Sequence, residues 1–293
     1  MRRLLGAALV ASALLLSGCS SSSTSQDVVE TTTTTRQILF GDLVGPTTGR
    51  TLTAADPLRV TLFGDSVLYD SEPAVSANLT STGVVRPANR TTPGFNFGHG
   101  LSVIAVDLDW RSILRDMMKE TDPEVVVTWF GIIDSFGIAH GNQTPEGFAA
   151  ALREALTIMT AASTKVIMFG VLPSVDDAGK PTVGPMNRDA NPIMQQVAAE
   201  FAGKVEYYDT ELLLSPEGRA VYSVDGLRVR KLDLIHICPD GAVRIADAIH
   251  DTLARSWPVP AAAPGWTAGP WRTAARYDDP PGACIRTHPG LGV

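Results

Sequence analysis

At 293 residues the chain is long enough for one sizeable domain and leaves too little for a second full one. With 44% hydrophobic and 19% charged residues it has the composition of an ordinary globular protein. The net charge is −7, and no basic run or basic patch with interleaved aromatics occurs, which argues against nucleic acid as a partner.

The N-terminus carries Arg2 and Arg3, an apolar run over residues 4–16, then Leu16-Ser17-Gly18-Cys19. A charged start, a short apolar core and small residues at its end make a signal peptide, too short to span a membrane as a mature helix. The Leu-Ser-Gly-Cys ending resembles the bacterial lipobox, whose cysteine is lipidated and becomes the mature N-terminus. An uncleaved anchor or a plain secretory signal would export the chain as well. Residues 1–18 are therefore expected to be removed, with Cys19 holding the protein to the outer face of the bacterial cell membrane. Loss of Arg2 and Arg3 takes the net charge from −7 to −9. Residues 20–35 are Ser/Thr-rich with few apolar side chains, a tether that cannot pack a core. Residues 37–57 are turn-rich, so 19–57 as a whole reads as tether and lead-in.

The domain proper starts at Leu58. Residues 58–63 read Leu-Arg-Val-Thr-Leu-Phe, a short buried strand closed by Gly64-Asp65-Ser66. Gly64 is expected to allow a sharp turn at the strand end through angles that a side chain forbids. Residues 67–82 can be helical after Pro73. A second strand is expected over 83–86, then a loop over 90–100 with Gly94, Gly98 and Gly100. Helical spacing of Leu108, Ile113, Leu114 and Met117 predicts a helix over 106–120. Residues 124–130 form a dense apolar strand ending at Gly131. Thr144-Pro145-Glu146 opens a helix that runs to about 161, with a capping residue and proline in their favoured places. Further elements are a strand over 165–171, a helix over 191–202, a strand over 205–208 and an amphipathic helix over 240–255. From 257 onward the chain is Pro/Gly-rich and expected to be irregular but pinned. Cys238 and Cys284 are an even pair in an exported chain, where disulfides persist, and are read as bonded.

Strands and helices alternate about five times, and the strands are continuous apolar runs. That predicts an α/β domain over 58–256, a three-layer sandwich with a central parallel sheet of about five strands and helices on both faces. Ligands in such sheets bind beyond the carboxyl ends of the strands. Ser66, Gly94, Gly131 and Asp233 all fall just after expected strands or in the loops that follow them.

Two stretches carry chemistry. Ser66 at a strand-to-helix turn has backbone N–H groups and a helix N-terminus beside it, which suits a nucleophile whose attack generates an oxyanion. The plainer reading is that Asp65 or Ser66 caps a helix. The second stretch is Asp233-Leu234-Ile235-His236-Ile237-Cys238-Pro239-Asp240-Gly241. An Asp three residues before a His can accept its Nδ1–H and leave Nε2 to take a serine proton. By itself it is as well explained as a loop histidine paired with an aspartate.

Together the two stretches resemble the SGNH (GDSL) hydrolase family over roughly residues 58–254. The run His236-x-Cys238-Pro239-x-Gly241, preceded by Asp225-Gly226-x-Arg228, is most similar to the SGNH domains associated with bacterial envelope acyltransferases. The resemblance implies a flavodoxin-like fold, Ser66 as nucleophile, His236 as general base and Asp233 as its orienting partner. Ser66 and Gly94, in Thr92-Pro93-Gly94-Phe95, would supply oxyanion-hole N–H groups. It further implies an O-acylated cell-envelope glycan or small ester as substrate, by hydrolysis or acyl transfer, with no cofactor. One block departs from the family. Where a Gly-x-Asn-Asp is expected, the sequence has Gly131-Ile132-Ile133-Asp134, and isoleucine cannot donate a hydrogen bond. Asn96 is the nearest amide that could substitute; as a residue among glycines it is equally a turn former. The departure also keeps open a weakly active or inactive glycan-binding or scaffold lipoprotein.

Other candidates are weaker. His99, His140, His250 and His288 show no metal-ligand spacing, so no metal is expected. Asp176-Asp177 and Asp278-Asp279 read as solvated loop charges. Trp129 and Phe130 read as core, with Trp129 near enough to the rim to line a pocket.

Overall fold

The computed structural model describes residues 50–98, 109–174, 185–216 and 218–284. Cys19, the tether up to residue 49, His99, Gly100, Asp176, Asp177 and His288 lie outside the described residues.

Five strands, β1 (Leu58–Gly64), β2 (Val85–Asn89), β3 (Val125–Trp129), β4 (Lys165–Phe169) and β5 (Val205–Tyr208), form one sheet. All neighbours pair in parallel, in the order β2-β1-β3-β4-β5. Every residue of β3 is buried, which is why its sequence shows no alternation. Burying each of its three valines contributes about 1.5–3 kcal/mol. Between β1 and β3 the strand order reverses, so the loops after these two strands diverge and leave a crevice at their carboxyl ends.

The helices form two groups. On one side α1 (Ser66–Ser81) packs against α7 (Pro239–Ser256). On the other, α2 (Trp110–Thr121), α3 (Ile132–Ala139), α4 (Pro145–Thr160) and α5 (Pro185–Ala199) pack through the pairs α2–α4, α4–α5 and α3–α5. A four-residue α6 (Glu211–Leu214) and a short hairpin of β6 (Ser223–Val224) and β7 (Leu227–Arg228) fill the long connection before α7. That hairpin turns at Asp225 and Gly226, both at positive φ, 51° and 73°, as an Asp-Gly turn of this kind requires.

The structure differs from the expected elements in ways that have local causes. α1 starts at Ser66 and continues through Pro73 instead of beginning after it. Asp65 starts it early by accepting the Val67 N–H at 2.9 Å. Proline inside a helix strands the carbonyl four residues back, Tyr69, and here Arg276 Nη1 donates to that oxygen. α3 was not anticipated: Gly131, at φ 106°, turns the end of β3 directly into a helix. α5 starts at Pro185 instead of 191 and carries Pro192 within it. β2 spans 85–89 instead of 83–86. α4 is as expected, with Thr144 Oγ1 accepting from Gly147 N–H at 3.0 Å.

The C-terminal segment is built of three short 3₁₀ turns over residues 266–278. Trp266 stacks on Trp271 with ring centroids 5.9 Å apart. Cys238 and Cys284 are bonded, with Cα atoms 5.6 Å apart.

Candidate active site

The strand end that presents Ser66 is shaped by space. Gly64 pairs with Trp129 across β1 and β3, and a Cβ on it would lie 2.1 Å from the Trp129 carbonyl oxygen. Gly64 does not have a positive φ, so the expected reason for glycine is corrected: close backbone approach demands it, not an unusual angle. Asp65 N–H donates to that same Trp129 oxygen at 2.9 Å. The next residue, Ser66, is half-buried at the first position of α1.

The loop carrying His236 is a tight turn. Lys231 N–H donates to His236 O at 2.8 Å, Leu234 N–H to Lys231 O at 3.1 Å, and Cys238 N–H to Val229 O at 3.0 Å. Asp233 Oδ1 accepts the N–H groups of Ile235 and His236 at 2.9 and 3.0 Å. Leu234 is held at φ 59°, and its carbonyl accepts from Arg230 Nη1 at 2.6 Å. This leaves Asp233 Oδ2 2.6 Å from His236 Nδ1, and His236 Nε2 2.8 Å from Ser66 Oγ. The three residues singled out by sequence therefore form one hydrogen-bonded chain.

Its electrostatics fix the protonation states. Burial pushes the Asp233 carboxyl up, but the His236 ring and the N–H groups of His236 and Ile235 outweigh it and hold the pKa down at about 2. Burial pushes His236 down, but the bond to Asp233 and the charges of Asp233 and Asp70 outweigh it, so its pKa is raised. With Asp233 ionised, neutral His236 carries its proton on Nδ1 and turns the Nε2 lone pair to the serine hydroxyl.

The loop bearing Gly94 continues along β1: Arg90 N–H donates to Leu62 O at 2.9 Å and Thr92 N–H to Gly64 O at 2.7 Å. Its glycine and asparagine content suggested a plain turn, yet Phe95 and Phe97 anchor it. Phe95 is fully buried, 4.8 Å from Phe63 and 5.3 Å from Phe97; Phe97 lies 5.0 Å from Phe130 and 5.1 Å from Trp110. Each such ring pair contributes about 0.5–1.5 kcal/mol beyond its buried area. Gly94 takes φ 85°, and Asn96 Nδ2 donates to the Gly94 carbonyl at 3.0 Å, closing the turn on itself. Asp134, in the departing block, is buried and accepts the Phe97 N–H at 3.0 Å, so it ties α3 to this loop. Burial raises its pKa to about 6 and that of the equally buried Asp65 to about 7. Ile133 is buried too, an apolar side chain in the position of the expected donor.

Several groups around the site were not singled out by sequence. Asp70, one helical turn beyond Ser66, forms a buried ion pair with Lys231 Nζ at 2.9 Å and accepts the Ile237 N–H at 3.2 Å. Arg230 is wholly buried, donating to Ser215 Oγ and to the carbonyls of Pro173 and Leu234; burial pulls its pKa to about 9. The i, i+4 spacing of Ser66 and Asp70 on one helix face was the available signal. Nothing in a run of Arg228, Arg230 and Lys231 marks it as buried. A small cavity borders Asp65 and Val67, lined also by Trp129, Ile132, Arg230 and Ile235. Trp129 is buried, with its indole N–H on Gly170 O at 3.0 Å, so it is both core and cavity wall. His140 and His250 hold nearby carbonyls, and Asp278 and Asp279 are exposed.

No curated protein matches the sequence. Among solved structures, the native aryl esterase of M. smegmatis is 15% identical with a TM-score of 0.51, covering 68% of this chain and 100% of that one. A carbohydrate esterase of family 3 from Talaromyces cellulolyticus is 19% identical, TM-score 0.48, covering 68% and 97%. A GDSL-like lipase from Bacteroides thetaiotaomicron is 15% identical, TM-score 0.46, covering 68% and 89%. At 15% identity the likeness to the aryl esterase is one of fold alone, a parallel five-stranded sheet with helices around it. Residues 59–252, from the first strand through the last helix, match the family described as "Protein of unknown function (DUF459)", and the chain belongs to that family.

Proposed function

We propose that the protein is an exported, lipid-anchored serine esterase or acyl-transferring enzyme acting on an O-acyl ester of a cell-envelope glycan. The observation that carries this reading is the hydrogen-bonded chain Asp233–His236–Ser66 at the carboxyl end of the sheet. Ser66 Oγ attacks the ester carbonyl while His236 Nε2 takes its proton, and Asp233 stays ionised and steadies the imidazolium. Developing charge on the carbonyl oxygen is met by the N–H groups of Ser66, at the N-terminus of α1, and Gly94. His236 then returns the proton to the departing alkoxide, leaving an acyl group on Ser66. Water or an acceptor hydroxyl, deprotonated by the same imidazole, releases it. The glycan is supported by the likeness of the His236 block to envelope acyltransferase domains and by the expected location. The Cys238–Cys284 bond suits an oxidising compartment.

The apolar Ile133 favours a second reading, a glycan-binding or scaffold protein that keeps the fold with little turnover. A fluorophosphonate probe separates the two. The enzyme acquires the adduct at Ser66, read by mass, and hydrolyses a short-chain aryl ester in a manner lost in Ser66→Ala. A folded protein with neither property is not an esterase.

A further inference from the structure

Lys231 Nζ makes three contacts that join three separate parts of the chain. It pairs with Asp70 of α1 at 2.9 Å and donates to the carbonyls of Arg276 at 2.7 Å and Asp279 at 3.2 Å in the C-terminal segment. Its own backbone closes the turn on His236. Both side chains of the pair are almost fully buried, at 6% and 3% exposure. A buried ion pair adds little to stability over an apolar replacement, so its presence next to Ser66 and His236 asks for another role. The same C-terminal segment reaches α1 a second time: Arg276 donates to Tyr69 O, lies over the Tyr69 ring at 3.8 Å and pairs with Glu72 at 3.1 Å. It reaches the histidine loop a second time through Cys284 and Cys238.

Granted the Ser66–His236 reaction above, we propose that Lys231 is a positioning residue, whose ammonium locks the serine helix and the histidine turn together against the C-terminal segment. Proton transfer from Ser66 needs the two atoms held at their 2.8 Å spacing, and a misplacement of about 1 Å costs on the order of 10²-fold in rate. The helix and the turn come from opposite ends of the domain, and Lys231 crosses the gap. The pair also sets the field at the imidazole. Around His236 stand Asp233 on its own turn, Asp70 and Asp65 from the serine side, and Lys231. Arg230 acts on Asp233, and Tyr277, from the C-terminal segment, lies near Asp70. Asp70 draws the pKa of His236 upward and Lys231 draws it down.

The test uses the full chain with Lys231→Met, Asp70→Asn and the double variant, which removes both charges of the pair together. Thermal unfolding, kcat and KM on a short-chain aryl ester, and the rate of fluorophosphonate labelling at Ser66 are measured for each. The double variant is expected to fold, with kcat lowered by about 10²-fold, KM little changed and labelling slowed in parallel. In Asp70→Asn the acid limb of the rate profile is expected to move to lower pH, because His236 loses a neighbouring negative charge. A purely structural pair would change the unfolding midpoint and leave that limb in place. A folded double variant labelled at the wild-type rate overturns the role of Lys231. Should the double variant not fold, a folded Lys231→Met labelled at the wild-type rate overturns it instead. Absence of labelling in the wild type, with turnover surviving in Ser66→Ala, overturns the Ser66–His236 reaction itself.

Discussion

His236 Nε2 lies 2.8 Å from Ser66 Oγ although 170 residues separate them in the chain. The sheet makes this possible: β1 delivers Ser66 to its carboxyl edge, and the turn before α7, which packs on α1, delivers His236 to the same place. On the proposed mechanism Asp233→Asn should cut kcat by on the order of 10²–10⁴, because an amide no longer enforces the Nδ1–H tautomer. The carboxylate is partly exposed, so the fold should survive, as circular dichroism and the unfolding midpoint would show.

The raised pKa of His236 places the acid limb of kcat/KM above the usual histidine value of 6.5, since only the neutral ring accepts the serine proton. In Asp233→Asn any residual activity should show that limb at lower pH. For stability the signs are separate. His236, with its raised pKa, contributes fully below 6.5, and the contribution is lost as pH rises through the folded-state value. Asp233 contributes above 3.8 and loses its contribution as pH falls towards about 2. A rate that stays flat on the acid side would rule out His236 as the base.

The disulfide closes a sequence separation of 46 residues, worth about 3–4 kcal/mol on a chain-entropy account. Reduction, or Cys284→Ser, should lower the unfolding midpoint and also the turnover number, because Cys238 is two residues from His236 and the C-terminal segment holds Lys231. Mass mapping under non-reducing conditions that finds two free thiols would exclude the bond, and a loss of stability without loss of turnover would confine it to the scaffold.

The oxyanion site gives a pair of substitutions. Asn96→Ala should lower turnover with little change in KM, since it removes the bond that closes the Gly94 turn at 3.0 Å. Ile133→Asn should raise hydrolysis of an aryl ester, because a side-chain donor at such a site typically contributes on the order of 10²–10³ in rate. Activity indifferent to both changes would place the missing donor elsewhere than at residues 96 and 133.

Cys19→Ala should move the protein from the detergent phase to the aqueous phase in a partitioning assay. Unchanged partitioning would remove the lipid anchor from the proposal.

The sequence determined the sheet and the two chemical blocks. Val125, Val126 and Val127 form an unbroken apolar run that suits a strand covered on both faces, and Asp233 and His236 are close enough in sequence to form their turn locally. The helix start at Thr144 was legible for the same reason, since a cap bonds within three residues. What the sequence left open depends on distant partners. Pro73 reads as a helix boundary until Arg276 supplies the donor that Tyr69 lacks. Gly64 reads as a sharp turn through angles that a side chain forbids until the Trp129 carbonyl is found against it. Asp70 and Lys231 show no local sign of pairing until α1, the histidine turn and the C-terminal segment close around them. Local hydrogen bonds and burial patterns are encoded within a few residues. Whether a charge is paired or a backbone crowded is decided by which remote segment arrives beside it, and for this protein those segments are packed around Ser66.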